Sequence, residues 1–118
     1  FQYSLRPDGS SFFPYVSEGV ASVLRLRPQD LRTHADAFFN LVSPEDLSNL
    51  AQALRESARE LRPLRLEFRI HFGPEIRWIL TNAIPETTPD GTILWHGFMT
   101  DITTQKKCRR TGALVSLS

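Results

Sequence analysis

Three histidines (His34, His71 and His96), one cysteine (Cys108) and thirteen acidic side chains are the groups through which this 118-residue chain could hold a metal or move a proton. Their spacing predicts neither. A protein metal site needs ligands at short fixed steps, such as Cys-x2-Cys or His-x3-His, and the sequence has none. An activated nucleophile needs a base beside it, yet there is no Gly-x-Ser-x-Gly elbow, no glycine-rich phosphate loop and no His-Glu-x-x-His. The one acid–base pair to weigh is His96 with Asp101. Five residues apart on a strand, they point to opposite faces. No catalytic residue and no metal ligand are expected. What remains is a binding question, carried by Asn82 and His96, two polar residues inside otherwise apolar runs. A polar group buried without a partner costs about 1–3 kcal/mol, so each is expected to meet a ligand, backbone or water.

The elements that would position these residues lie between Leu64 and Thr103. Leu64, Leu66, Phe68, Ile70 and Phe72 alternate with Arg65, Glu67, Arg69 and His71, the period of a half-buried strand. Gly73-Pro74 interrupts the ladder, a second run extends from Ile76 to Ile84 and stops at Pro85, and Pro89-Asp90-Gly91 marks the turn into a third run from Thr92. The spacing predicts three consecutive antiparallel strands.

Upstream, Phe1 to Leu5 and Phe12 to Val16 flank the turn signal Pro7-Asp8-Gly9-Ser10 and read as a hairpin. Ser17 is placed to cap a short helix with Glu18 in its first turn and Val20, Val23 and Leu24 facing inward. Leu31, Phe38, Phe39, Leu41 and Val42 fall in a stretch of short helical turns. A long helix then opens on Ser43-Pro44-Glu45-Asp46, with serine at the cap, proline at the first helical position and an acid three residues on. Leu47, Leu50, Ala51, Leu54, Ala58 and Leu61 form its apolar stripe, and Pro63 ends it. Two strands, helices, then three strands predict an α+β domain, a five-stranded antiparallel sheet with its helices on one face.

Fourteen basic against thirteen acidic residues give a net charge of +1, but residues 1–103 hold ten basic and thirteen acidic groups. A mildly acidic body argues against a nucleic-acid surface, which needs clustered Lys and Arg. Lys106, Lys107, Arg109 and Arg110 read as a solvated linker. No apolar run approaches the ~20 residues of a membrane span, so no membrane insertion is expected. A single cysteine permits no internal disulfide and fits a reducing, cytoplasmic compartment. The start at Phe1 suggests a domain cut from a longer protein.

In order and spacing, Asp8-Gly9-Ser10, Ser43-Pro44-Glu45-Asp46, Glu67-Phe68-Arg69, Ile76-Arg77-Trp78-Ile79, Asp90-Gly91-Thr92 and Gly97 before Asp101-Ile102-Thr103 resemble the Per-Arnt-Sim (PAS) domain of bacterial signalling proteins. The resemblance covers residues 1–103 and leaves 104–118 as a linker or tail toward an effector domain. It implies a sheet of spatial order 2-1-5-4-3. It also implies a cytoplasmic sensory or dimerisation module of a histidine kinase, in a two-component system, or of a cyclic-di-GMP enzyme, with the signal leaving through Asp101, Ile102 and Thr103. The alternative is a constitutive interaction module with a filled core. Flavin-adduct members carry a cysteine before the long helix, whereas residues 34–42 have none; haem-binding members place a histidine on or near that helix, and residues 44–61 have none. No cofactor is therefore evident, although an unknown small ligand is compatible with the family pocket, here expected to be lined by Phe39, Phe68, Ile70, Leu80, Asn82, His96 and Phe98.

A sheet covered on one side should be polar on the other. The last two runs break that rule: Ile76, Trp78, Leu80 and Ile84 oppose Ile79 and Ala83, and Ile93, Trp95 and Met99 oppose Leu94, Phe98 and Ile102. Exposed apolar patches with tryptophan mark contact surfaces. Trp78, Trp95 and Met99 are therefore the expected interface, covered by a second copy in a homodimer or by a flanking helix.

Overall fold

The computed structural model describes residues 1–106. The elements are β1 (Gln2–Leu5), β2 (Ser11–Tyr15), α1 (Glu18–Leu24), a 3-10 turn (Pro28–Asp30), α2 (Asp36–Phe39), α3 (Pro44–Glu60), β3 (Leu64–Phe72), β4 (Glu75–Thr87) and β5 (Ile93–Asp101). They form one antiparallel sheet in the order β2-β1-β5-β4-β3, the order expected from the resemblance. The two terminal stretches meet at its centre, where Tyr3 pairs with Trp95.

The core is aromatic on the sheet face that meets the helices. Phe1, Tyr3, Phe13, Phe38, Phe39, Phe68 and Trp95 form a chain of ring contacts with centroids 5.1–6.1 Å apart, within the range where tilted and edge-on rings attract. Ser17 caps α1 by accepting from the Val20 amide at 3.2 Å, as its position before Glu18 predicted.

Three expectations change in detail. β4 runs through Pro85 to Thr87. β3 stops pairing at Ala83, so Pro85 lies where β4 has only β5 beside it and a backbone donor can be spared. In α3, Leu50 is buried, but Leu47 is 37% exposed and Leu61 50% exposed. Leu61 has already left the helix, with φ at 53°, and the buried position in the last turn is Ser57. Ser43 sits at the start of α3 without capping it by its side chain, and Asp46 turns away to β3.

Both sheet edges are closed by the helical connection. The Phe13 amide donates to Leu31 O and the Ala35 amide to Ser11 O along β2, while the His71 amide donates to Leu41 O and the Ser43 amide to Arg69 O along β3. An edge strand left open invites pairing with another chain, and these bonds occupy much of both.

Candidate functional site

Strand pleating decides which residues can share a site. On β4 the buried positions are Ile79, Thr81, Ala83 and Pro85, and on β5 they are Trp95 and Met99. With a period of two, Leu80, Asn82, His96 and Phe98 must lie on the opposite face. The expected pocket is therefore divided. Phe39 and Phe68 line a small, partly open cavity together with Tyr3, Leu54, Thr81 and Trp95, and Ile70 is fully buried in the adjoining core. Leu80, Asn82, His96 and Phe98 are removed from it to the outer face. The expected interface divides the other way: Trp78 is on the outer face, but Trp95 is completely buried and Met99 nearly so, both lining the cavity.

The cavity measures about 20 Å³, space for about one water molecule. The wall it presents is apolar throughout, although Tyr3 and Thr81 are among the residues that line it. Burial pushes the Tyr3 pKa up, against a weaker opposing bond to Ser11. Trp95 is held from behind by Ser57, whose hydroxyl accepts from the indole Nε1 at 2.9 Å and donates to Arg62 O at 2.6 Å. Sequence reading missed Ser57; the signal was its position seven residues after Leu50 on the apolar stripe.

A second constellation lies where the chain leaves the sheet. β5 ends at Asp101, and Ile102 and Thr103 then fold back on Trp78 of β4. The Ile102 amide donates to Trp78 O at 2.8 Å, and the Trp78 amide donates to the Thr103 hydroxyl at 2.8 Å. Asp101 accepts from the Thr103 amide at 2.9 Å and from Arg77 Nε at 2.8 Å. Partial burial works against ionisation of Asp101, but the Thr103 and Arg77 hydrogen bonds outweigh it and hold the carboxyl below the usual carboxylate range. Asp101, Ile102 and Thr103 thus form a clasp between the last strand and its neighbour. His96 and Asp101 are on opposite faces, as the spacing predicted.

Residues 103–106 begin a helix from this clasp. Lys106 was expected to be solvated. Instead its ammonium pairs with Glu67 at 2.6 Å and stands 4.5 Å above the Trp78 ring, with the Arg69 guanidinium 5.4 Å from the same ring. Lys107, Cys108, Arg109 and Arg110 lie outside the described residues.

The third feature is the outer face itself. Ile76, Ile84 and Phe98 are 45%, 65% and 52% exposed, and with Trp78, Leu80 and Leu94 they make an apolar band along β4 and β5. Arg65, Glu67, Arg69 and His71 of β3 border it on one side. His96 sits within the band, its Nε2 2.7 Å from Glu86 and its Nδ1 3.3 Å from Gln2. Among the described residues no group of His, Cys, Asp or Glu is arranged to hold a metal ion, and no helix is long and apolar enough to cross a membrane.

Comparison with known proteins places this architecture. A family profile described as the PAS fold matches residues 6–107. Among solved structures, a sensory box histidine kinase/response regulator from Burkholderia thailandensis E264 superposes with a TM-score of 0.67 at 16% identity, covering 98% of this chain and 86% of that one. A domain of a putative light and redox sensing histidine kinase from Haloarcula marismortui gives 0.67 at 21% identity, covering 86% and 88%. The N-terminal domain of a diguanylate cyclase with PAS/PAC sensor from Marinobacter aquaeolei gives 0.66 at 16% identity, covering 89% and 96%. At these identities the likeness is one of fold. No curated protein sequence matches the chain.

Proposed function

The chain belongs to the PAS family, and on that premise we propose that it is a non-catalytic sensory and regulatory module of a multidomain, cytoplasmic bacterial signalling protein. Residues 1–103 form the sensing unit, and 104–118 lead toward an effector, a histidine kinase of a two-component system or a cyclic-di-GMP enzyme. The observation that carries this reading is the clasp: Asp101 and Thr103 bind the chain's exit to Arg77 and to the Trp78 amide. A shift of β4 against β5 therefore moves the segment that leaves the domain. Ligand-driven switching requires a ligand that binds two arrangements of this joint unequally. The core side of the sheet supplies the input and the exposed band a contact surface, whose occupant is either a second copy or a segment of the same polypeptide.

Native mass spectrometry and an absorbance scan of freshly purified protein test for a retained ligand. Hydrogen exchange at the Ile102 and Lys106 amides tests transmission. A small molecule that stabilises the domain and changes exchange at those amides supports the sensor. One that binds while leaving them unaltered overturns transmission through the clasp.

A second reading, a constitutive interaction module without ligand, is favoured by the cavity of about 20 Å³. Protein that emerges without added mass, and that no small molecule stabilises, decides for it.

A further inference from the structure

We infer that Arg25, Glu75, Arg77 and Asp101 form a switch between α1 and the exit clasp. Glu75 holds Arg25 while α1 is seated, and competes with Asp101 for Arg77 when α1 lifts. This deepens the sensory reading above and rests on its clasp. The row of charges is continuous and alternates in sign. Arg25 Nη2 donates to both carboxylate oxygens of Glu75, at 3.1 and 3.0 Å. The Oε2 of Glu75 also stands 3.7 Å from Arg77 Nη1, and Arg77 Nε donates to Asp101 Oδ2 at 2.8 Å. Asp101 Oδ1 then accepts from the Thr103 amide at 2.9 Å, inside the clasp.

Strand pleating makes this row. Glu75, Arg77 and Ile79 alternate onto one face of β4, the face that meets the helices. Asp101 pairs with Ile79, one diagonal step from Arg77, a separation that long side chains span. The apolar inner face therefore ends in a charged rim, and Arg25, at the end of α1, reaches it. Arg25 has φ at 55°, where glycine is the usual helix-ending residue and a Cβ is unfavourable. Its side chain supplies a reason for arginine there. Besides binding Glu75, the guanidinium lies 4.0 Å over the Phe72 ring, and Phe72 and Glu75 face each other at the root of the β3–β4 hairpin. Val20 and Leu24 seat α1 in the core, so a change in how the core is filled moves the group at the helix end.

Distance and exposure decide where the row changes. At 3.7 Å the Glu75–Arg77 contact is an attraction of charges and too long for a hydrogen bond. Glu75 is hydrogen-bonded to Arg25, which leaves Arg77 to Asp101. Arg25 and Glu75 are exposed, whereas Arg77 and Asp101 are half-buried, so the pair at the helix is the weaker link. With Arg25 withdrawn, Glu75 closes on Arg77 and draws it from Asp101. Glu75 is thus a positioning residue for the clasp. Two arrangements of the same four side chains give the joint the two states that a signal must distinguish.

The test is hydrogen exchange at the Trp78, Ile102 and Thr103 amides, all bonded within the clasp, on the whole chain without added ligand. Arg25→Ala keeps the Cβ and removes the guanidinium. It should quicken the three amides roughly threefold, the scale of one ion pair, relative to Phe68 and Ile79, which pair with each other in mid-sheet. Arg25→Ala combined with Glu75→Gln should return them to wild-type rates, because the competitor for Arg77 is gone. Arg25→Ala without acceleration overturns the switch. So does acceleration that Glu75→Gln fails to reverse, since lost packing on Phe72 would persist in the double variant. Acceleration by Glu75→Gln alone would make Glu75 a support of the clasp instead of its competitor, and overturns the switch as well. No ligand enters the measurement, so each of these failures leaves sensing in the core standing.

Discussion

The indole Nε1 of Trp95 donates to the hydroxyl of Ser57 at 2.9 Å, tying the strand at the centre of the sheet to the last turn of α3. Trp95 has no exposed surface, so its N–H has no water to fall back on. Ser57→Ala should therefore strand a buried donor and cost about 1–3 kcal/mol, measured by urea denaturation. Trp95→Phe in the Ser57→Ala background removes the orphaned donor as well. In that background the tryptophan substitution should cost less than it does alone. Equal costs in both backgrounds would mean that the bond contributes nothing.

Gly97 is required by a close approach rather than by its dihedrals. A Cβ built on it meets the backbone oxygen of Asn82 and comes within 2.6 Å of Ala83 Cα and 2.7 Å of Ala83 Cβ. No side-chain rotation relieves a clash with backbone, so β4 and β5 must separate. Gly97→Ala should destabilise the fold by at least the ~1–3 kcal/mol typical of overpacking. Gly73→Ala, where a Cβ meets open space but φ is 61°, should cost about 1 kcal/mol. Chemical denaturation of the two variants ranks them, and a smaller loss at Gly97 than at Gly73 would contradict the contact.

How far the sequence disclosed this arrangement depended on the strand. β3 was legible residue by residue, because Arg65, Glu67, Arg69 and His71 mark its outer face against an apolar inner one. β4 and β5 carry apolar residues on both faces, so periodicity located the strands but could not say which face meets the helices. That is why Leu80, Asn82, His96 and Phe98 were expected inside and Trp95 and Met99 outside. Ser57 was hidden for the opposite reason: a lone serine on a leucine stripe looks like a gap until its partner, 38 residues away, is known. Asp46 was legible as part of a helix start, but its bond to Arg69 spans 23 residues and no local rule shows it.

That bond sets a pH dependence. Asp46 accepts from the Arg69 amide at 2.8 Å and from its guanidinium at 2.9 Å through both oxygens, locking the start of α3 to β3. The Arg69 hydrogen bond holds the Asp46 carboxyl below the usual range, and Asp101 is held low beside Thr103 and Arg77. A carboxyl depressed in the folded state binds its proton more readily when unfolded. Its contribution is therefore complete above the unfolded value of about 3.9 and is lost as pH falls through the lower folded value. Stability should be flat from pH 7 to about 5 and fall below about 4. Asp46→Asn should lower the plateau and flatten the acid limb. An acid limb of unchanged slope in Asp46→Asn would remove the lock from the account.

The clasp makes a local claim, separable from global stability. Thr103→Val keeps the shape of the side chain and removes the hydroxyl that accepts from the Trp78 amide at 2.8 Å. One neutral hydrogen bond contributes about 1 kcal/mol net, which corresponds to roughly fivefold faster exchange at that amide if the joint opens locally. The Ile102 amide, bonded to Trp78 O, should quicken with it, because both bonds close the same turn. Thr104→Val, next along the chain and exposed, is the control and should leave both amides unchanged. Faster exchange confined to Trp78 and Ile102 would identify the joint as an independently opening unit, which is what a transmitting element requires. Uniform acceleration across β4 and β5 would instead show that the clasp opens only when the sheet does, and the domain would then have no separate exit to move.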